Sequence, residues 1–196
     1  MRTLVVARHG ESELSLKQLV NGDPGVACLL TSDGREQARA LGQMLAGEAI
    51  DLCAVTEFER VRETAEIALA GRDVPFLVVP ELNDPRYGEF EGGSLDAYRK
   101  WVWERGPLES PAGGEHRGEI AARYAGGFRQ LLERPEDTFL LVAHSLPVRY
   151  VLDAGAGLSP RAKVALVEYA RPARLTHEEL ERAVEVLEEW AGAPSF

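Results

Sequence analysis

Two histidines occupy equivalent positions in the sequence, each directly after a short apolar run. His9 follows Leu-Val-Val-Ala-Arg, and His144 follows Phe-Leu-Leu-Val-Ala. Apolar runs of this length are typical of buried strands. If the two strands are neighbours, both imidazoles lie at the same edge of a sheet, where ligands bind in open α/β folds. One histidine at a strand end is most often structural, but the pair, with Arg8 beside the first, predicts a functional site.

Phosphoryl transfer is a reaction that such residues can perform. A phosphate monoester dianion repels nucleophiles, and a neutral imidazole attacks its phosphorus only when cations neutralise the surrounding oxygens. Arginine suits this task better than lysine because it holds two oxygens in a fixed geometry. The leaving alkoxide needs a proton, and the attacking water must later lose one. A single carboxyl group can do both in turn.

The elements that must position these residues alternate between strand and helix patterns. We predict strands over residues 4–7, 51–55, 76–79, 139–143 and 164–169. We predict helices over residues 34–45, 58–70, 95–103, 119–132 and 148–152, and a last helix that a capping box at Thr176 opens. This alternation predicts an α/β three-layer sandwich, with a mostly parallel central sheet and helices on both faces.

Residues 81–114 are richer in glycine and proline than their flanks. We expect them to form a small insertion over the carboxyl ends of the strands, above the active site. The length of the chain suits one domain. We therefore expect residues 1–196 to fold as a single domain that carries this insertion as a flap.

The segment Arg8-His9-Gly10 resembles the Arg-His-Gly signature that opens the histidine phosphatase superfamily, which includes the cofactor-dependent phosphoglycerate mutases. It lies directly after the first predicted strand, as the family pattern requires. Further segments resemble family motifs in the same order, at residues 30–42, 58–65, 82–92, 113–115 and 141–144. One tripeptide is weak evidence, but an ordered set from about residue 4 to residue 152 is specific.

The resemblance implies roles for four residues. His9 is the nucleophile that takes the phosphoryl group, and Arg8 and Arg60 hold the phosphate oxygens. His144 completes the pocket and adds a third cation if it is protonated. Apart from the motif, Arg60 resembles a solvated charge on a helix, as its neighbour Arg62 does.

Three positions depart from the family pattern or lie in a changed loop. Ser15 stands where the family often has an asparagine that contacts phosphate, and its hydroxyl can replace that contact at shorter reach. Ser145 stands where a glycine usually follows the second histidine, and its backbone N–H can still donate to phosphate. Asn21 is a candidate pocket residue, although it begins a loop that is longer than in the family and could displace it.

The proton donor has two candidates. The family uses a glutamate in this stretch, or an aspartate elsewhere in its acid phosphatase branch. Counting back from Gly88, the matching residue is Asp84, whose side chain is one methylene shorter. Glu81, three residues earlier, is the competitor. Asp84 precedes a proline, so it also fits a turn former. We favour Asp84 and keep Glu81 as the alternative.

The main functional hypothesis is hydrolysis of a small phosphorylated metabolite through a phosphohistidine intermediate. The first alternative is phosphoglycerate mutase-type transfer. Against it, proline replaces the arginine that follows the acid in the mutase pattern, and the segment beyond Trp190 is expected to be too short for a lid. A non-catalytic phosphate-binding module and a phosphohistidine-protein phosphatase are further alternatives. Substrate specificity is expected from Arg86, Tyr87, Tyr98 and Trp101.

Composition excludes several other classes. The net charge of −10 argues against nucleic-acid binding, which needs a basic face. The histidines and the two cysteines show no metal-ligand spacing, and no P-loop motif is present, so we expect neither metal nor cofactor. The first apolar run is too short for a signal peptide or a membrane span. We expect a cytoplasmic monomer or homodimer, with reduced cysteines, that binds a small phosphate ester.

Overall fold

The computed structural model describes residues 2–196, which contain one five-stranded sheet. The strands are β1 (Thr3–Arg8), β2 (Leu52–Val55), β3 (Phe76–Val78), β4 (Thr138–Ala143) and β5 (Ala173–Thr176). The helices are α1 (Glu13–Leu16), α2 (Ser32–Met44), α3 (Glu59–Ala68), α4 (Leu95–Trp103), α5 (Arg117–Leu132), α6 (Ser145–Gly155) and α7 (His177–Gly192). Within these residues, no helix combines the length and the apolar character that a membrane crossing requires.

The strand order is β3-β2-β4-β1-β5, with β5 antiparallel to β1 and all other neighbours parallel. The two strands that precede the histidines, β1 and β4, are therefore adjacent. Arg8 pairs with Ala143 at their carboxyl ends, and the N–H of His9 donates to the carbonyl of Ala143 at 2.9 Å. The predicted α/β class, with its mostly parallel sheet, is confirmed.

Alternate side chains of the central strands face opposite sides of the sheet, which gives the fold its three layers. Val5 and Val142 face α2 and α3, whereas Leu4 and Leu141 face α5, α6 and α7. All four side chains are fully buried, as strands covered on both faces require. Helices thus pack against both faces of β1 and β4. This packing fixes the backbone from which His9 and His144 extend.

The predicted strand at residues 164–169 is wrong. The segment joins the sheet through an isolated bridge between Tyr169 and Arg8, and β5 takes the edge of the sheet instead. Arginine side chains bond to its carbonyls, and the N–H of Val167 donates to the hydroxyl of Ser145 at 2.9 Å. Arg99 donates to the carbonyl of Val164, Arg149 to that of Ala165 and Arg8 to that of Val167. Since side chains satisfy these backbone groups, no ladder is needed.

Helix boundaries follow from the capping residues. Thr31 accepts a hydrogen bond from the N–H of Gly34 and caps α2, and the predicted capping box at Thr176 and Glu179 opens α7. The short helix α1 was not predicted. Ser12 and Ser15 cap it reciprocally in a segment with no apolar periodicity.

The insertion covers the carboxyl ends of the parallel strands, as the fold prediction requires. It contains α4 and the short 3-10 helix Gly88–Phe90, and a second 3-10 helix, Pro80–Leu82, overlaps its start. Its own small core joins Tyr87, Tyr98 and Val102 to Val20 from the loop after α1. Tyr87 and Tyr98 pack edge to face with ring centroids 4.7 Å apart, a favoured aromatic geometry. This cluster closes one side of a cavity above the strand ends.

A close backbone approach fixes the loop after β1. The Cα of Gly34 lies against the backbone of Glu11, and Gly10 lies against the carbonyl of Gly34. A Cβ at either glycine would overlap main-chain atoms, which cannot rotate away. The first turn of α2 therefore locks the loop that carries His9.

We predict that Gly34→Ala lowers the free energy of unfolding by about 1–3 kcal/mol, because the added methyl overlaps the Glu11 carbonyl. Gly126→Ala is the matched control. Gly126 is also helical, but it is exposed and a Cβ there meets no atom, so we expect a gain of about 0.5–1 kcal/mol. Urea unfolding measures both. Equal effects of the two substitutions would contradict the close approach.

Candidate active site

The cavity lies where β1 and β4 end, and both predicted histidines meet there. The ring centroids of His9 and His144 are 5.5 Å apart, and both residues are almost completely buried. Arg8, Arg60 and Asp84 also line or border the same space. The structure thus brings together five residues from four separate segments of the chain.

His9 presents one ring nitrogen as an unprotonated acceptor. Its Nδ1 lies 2.6 Å from the carbonyl of Gly10, which can only accept, so Nδ1 carries the proton. Nε2 then keeps its lone pair and accepts from Nε of Arg60 at 3.4 Å. Burial and the charges of Arg60 and Arg8 lower the pKa of His9 well below its ordinary value. The imidazole is therefore neutral, and its Nε2 carries the lone pair that an attack on phosphorus needs.

Arg60 links the whole site. It is 4% exposed, and it comes from the first turn of α3, which Phe58 precedes. Its guanidinium donates to Asn21 Oδ1 at 2.6 Å, to the Asn21 carbonyl at 3.1 Å and to Asp84 Oδ2 at 3.3 Å. It lies 4.2 Å from the centroid of the Phe58 ring. The alternative of a solvated helix charge does not hold for Arg60, whereas Arg62 is exposed and pairs with Glu66.

His144 has the opposite tautomer. Its Nδ1 accepts from Arg60 at 3.3 Å, because a guanidinium only donates. Its Nε2–H therefore donates to Thr56 Oγ1 at 3.0 Å. Burial and the charge of Arg60 lower the pKa of His144 well below its ordinary value, so the ring is neutral. A bound phosphate dianion would raise that pKa and favour the third cation that the resemblance implies.

Sequence reasoning missed Thr56, although a usable signal existed. Thr56 follows β2 directly, as His9 follows β1 and His144 follows β4. β2 pairs with β4, so the same strand-end rule places the Thr56 hydroxyl beside the second histidine.

Arg8 approaches the site from the other side. Its Nη1 donates to the carbonyl of Val167 at 2.9 Å, and its guanidinium lies 3.8 Å from the centroid of the Tyr169 ring. Its Nε is buried, and no group of residues 2–196 forms a hydrogen bond with it. A buried donor without a partner costs free energy.

Asp84 lies at the site as the count from Gly88 predicts. Its Oδ2 is 3.3 Å from Arg60 and 3.4 Å from Nδ1 of His144. Burial raises the pKa of Asp84 to about 6, although Arg60 and Arg8 act in the opposite direction. A carboxyl group with this pKa exists in both protonation states near neutral pH, as a group that gives and later takes a proton must.

Glu81 is not placed for this role. Its side chain is absent from the cavity wall and packs against Gly127 of α5. Its carbonyl accepts from Arg123, which also holds the carbonyls of Asn83 and Asp84. Arg123 thereby fixes the backbone that presents Asp84.

Three other predicted residues line the cavity with their polar groups already engaged. The Ser15 hydroxyl bonds to the backbone of Ser12, and the Ser145 hydroxyl accepts from Val167. Asn21 stays at the cavity despite its longer loop, because Arg60 holds both of its oxygens. Ser145 is the first residue of α6, where free backbone N–H groups favour an anion.

The four specificity candidates in the insertion fall into two pairs, one at the cavity and one outside it. Tyr87 lines the cavity, whereas Arg86 is 65% exposed and pairs with Glu115 outside it. Tyr98 also lines the cavity, but Trp101 packs against Phe90 instead. Three arginines that the sequence did not single out complete the wall: Arg99, Arg117 and Arg149.

Comparisons with known proteins identify the family of this chain. Residues 4–191 match the family model described as histidine phosphatase superfamily (branch 1). A 2,3-bisphosphoglycerate-dependent phosphoglycerate mutase of Brucella melitensis is 34% identical over 176 residues, 81% of this chain and 84% of that protein.

Solved structures of two phosphatases share the fold. A putative α-ribazole-5'-P phosphatase of Escherichia coli superposes with a TM-score of 0.76 and 26% identity over 88% of this chain and 89% of that one. A mycobacterial glucosyl-3-phosphoglycerate phosphatase, complexed with VO3, gives a TM-score of 0.74 and 25% identity over 90% of this chain and 93% of that one. These relatives support a phosphatase or a mutase. With a family match that spans nearly the whole sequence, the chain belongs to the histidine phosphatase superfamily.

Proposed function

We propose that the protein hydrolyses small phosphate monoesters through a phosphohistidine formed on His9. One observation carries the proposal: the unprotonated Nε2 of His9 lies beside a buried, permanent cation, Arg60, in a cavity large enough for a ligand. We further propose that residues 1–196 act as one domain, with residues 81–114 as the flap over this site.

In the first step, Nε2 of His9 attacks phosphorus and the bond from phosphorus to the ester oxygen breaks. Arg8, Arg60 and the first N–H groups of α6 neutralise the phosphoryl oxygens. The leaving oxygen takes a proton from Asp84, whose carboxyl lies between Arg60 and His144. The products of this step are phosphohistidine, an alcohol and the Asp84 carboxylate.

In the second step, water attacks the phosphohistidine from the side of Asp84. The carboxylate takes a proton from that water, and the bond from phosphorus to Nε2 breaks. Inorganic phosphate leaves, while His9 returns as a neutral imidazole and Asp84 as an acid. The hydrogen bond from Nδ1 to the Gly10 carbonyl keeps the ring in the correct orientation throughout.

A mutase is the second candidate, because the Brucella melitensis relative carries that name. Arg86 lies two residues after Asp84 and pairs with Glu115 outside the cavity. The segment that carries Asp84 therefore places no arginine beside it. This arrangement favours water as the acceptor of the phosphoryl group. Release of inorganic phosphate from phosphoglycerate, without interconversion of its isomers, distinguishes hydrolysis from mutase activity.

The first prediction concerns the nucleophile. Wild-type protein should hydrolyse 4-nitrophenyl phosphate in EDTA and form a phosphoenzyme that is labile in acid and stable in base, with the label on the peptide that contains His9. His9→Ala should remain folded but form no phosphoenzyme. His177→Ala, at a half-buried position on α7 outside the cavity wall, is the control and should behave as wild type. Near-normal turnover by His9→Ala would show that the nucleophile is misassigned, and dependence on added metal would contradict the mechanism.

The second prediction identifies the proton donor through the leaving group. Asp84→Asn should slow phosphoryl transfer from an alkyl phosphate by about two to four orders of magnitude, because an alkoxide is a strong base. Transfer from 4-nitrophenyl phosphate, followed as the burst of nitrophenol, should change much less. Glu81→Gln should leave both substrates nearly unaffected. If Glu81→Gln shows the leaving-group dependence and Asp84→Asn does not, Glu81 is the acid.

The third prediction concerns pH. The pKa of Asp84, raised to about 6, means that the donor form predominates below pH 6 and is lost as the pH rises. Transfer from an alkyl phosphate should therefore fall above about pH 6, while the lowered pKa of His9 removes any acid limb from the nucleophile. The same profile is measured with Asp84→Asn. The ratio of the wild-type rate to the variant rate at each pH then contains no contribution from ionisation of the substrate. A wild-type to variant ratio that is flat from pH 5 to pH 8 would contradict this assignment.

A further inference from the structure

The motif segment at residues 113–115 lies outside the cavity. None of these three residues belongs to the cavity wall, so the segment does not contact a substrate there. Its last residue, Glu115, is nevertheless only 3% exposed. A glutamate is rarely buried unless it is paired and hydrogen-bonded, because burial removes the hydration of its charge. The partners of Glu115 therefore indicate what this segment does.

Glu115 is bonded to two separate parts of the chain. Its Oε1 and Oε2 accept from Nε and Nη2 of Arg123 on α5, both at 2.9 Å, which is a bidentate ion pair. Oε2 also accepts from the backbone N–H of Arg86 at 2.9 Å, and the Glu115 N–H donates to the Arg86 carbonyl at 3.0 Å. Arg86 lies near the start of the insertion and Glu115 directly follows its end. One carboxylate thus joins both ends of the insertion to α5.

Arg123 extends this connection to the proton donor. Its Nη1 donates to the carbonyls of Glu81 at 2.8 Å and Asn83 at 3.0 Å, and its Nη2 donates to the carbonyl of Asp84 at 3.4 Å. A guanidinium holds its N–H groups in one rigid plane. The carboxylate on one edge of that plane therefore sets the direction of the N–H groups that hold the backbone of the acid.

The pair remains ionised, and its charges act on the acid as well. Burial would raise the pKa of Glu115, but the hydrogen bonds from Arg123 and from the Arg86 N–H outweigh burial and lower that pKa. The charge of Arg123 favours the carboxylate form of Asp84, as the charges of Arg60 and Arg8 do. Glu115 balances the charge of Arg123 and so limits this effect.

We propose that Glu115 and Arg123 are positioning residues for the proton donor, and that their ion pair holds the Asp84 carboxyl where the leaving oxygen needs it. The inference rests on the proposed function and adds to it two residues that do not line the cavity. A pair that only stabilised the fold would affect every substrate alike. A positioning pair affects only the reactions that need the proton of Asp84.

The first test removes the guanidinium. Arg123→Met should slow phosphoryl transfer from an alkyl phosphate by about tenfold to a hundredfold, since a catalytic group displaced by about 1 Å loses that much. The nitrophenol burst from 4-nitrophenyl phosphate should change little. Arg129→Met removes an exposed arginine of the same helix, paired with Glu188, and should leave both rates unchanged.

A double-mutant cycle shows whether Arg123 acts through the acid. In the Asp84→Asn background, Arg123→Met should add no further loss on the alkyl phosphate, because the group that it positions is already absent. A full further loss in that background, or an equal loss on both substrates in the single variant, would overturn the proposal.

The second test removes only a charge. Glu115→Gln keeps an oxygen acceptor but leaves Arg123 unbalanced, so the pKa of Asp84 should fall and transfer from the alkyl phosphate should decline at lower pH than in the wild type. Arg60, Arg8 and His144, which also face this carboxyl, are unchanged in the variant. Glu89→Gln is the matched control. Glu89 accepts from the Ala112 N–H at 3.0 Å on the exposed side of the same paired segments, and its substitution should leave the pKa of Asp84 as it is.

NMR titration of the labelled Asp84 carboxyl carbon measures this pKa without turnover and separates the inference from the proposed function. Absence of any phosphoenzyme in the wild type would contradict the hydrolase. In that case a lower Asp84 pKa in Glu115→Gln would still support the action of the pair on Asp84, and an unchanged pKa would overturn it. If Arg123→Met does not fold, Glu115→Gln decides: a loss confined to the alkyl phosphate supports the proposal, and equal or absent effects on the two substrates overturn it.

Discussion

The buried guanidinium of Arg60 is the interaction on which the site depends. It contacts both histidines, Asn21 and Asp84, so four separate segments are positioned by one side chain. Taking such a charge out of water is costly, and the hydrogen bonds of Asn21 and the ring of Phe58 offset part of that cost. The positive charge also keeps both imidazoles neutral. The same charge that orders the site therefore also favours an anion beside His9.

Asp84 shows how opposing effects set a functional pKa. Arg60 and Arg8 favour its carboxylate, but burial outweighs them and the pKa rises to about 6. Arg123 contributes indirectly, because it holds the backbone on both sides of Asp84 and is itself paired with Glu115. The aspartate is shorter than the glutamate of the family pattern. Its segment brings the carboxyl within 3.4 Å of His144, so the shorter side chain still reaches the site.

The sequence predicted those parts of the structure that follow from local patterns. Apolar runs located β1 and β4. The order of the motifs assigned Arg60 to the phosphate pocket, although the pattern of its helix gave no sign that it is buried. The segment at residues 164–169 was misassigned because its apolar residues line a cavity instead of pairing in a sheet. Arg117 gave no signal at all. Its hydrogen bond to Tyr150 forms only when α5 and α6 come together in the fold, and no pattern within either segment predicts it.

Residues 164–169 have a consequence for evolutionary divergence. They form part of the cavity wall, yet side chains rather than strand pairing hold their backbone in place. Insertions or exchanges in this stretch would change what the cavity accepts while every strand keeps its register. Substitutions in this stretch therefore affect the stability of the sheet little. A lineage can acquire a new substrate preference there while its proteins still fold.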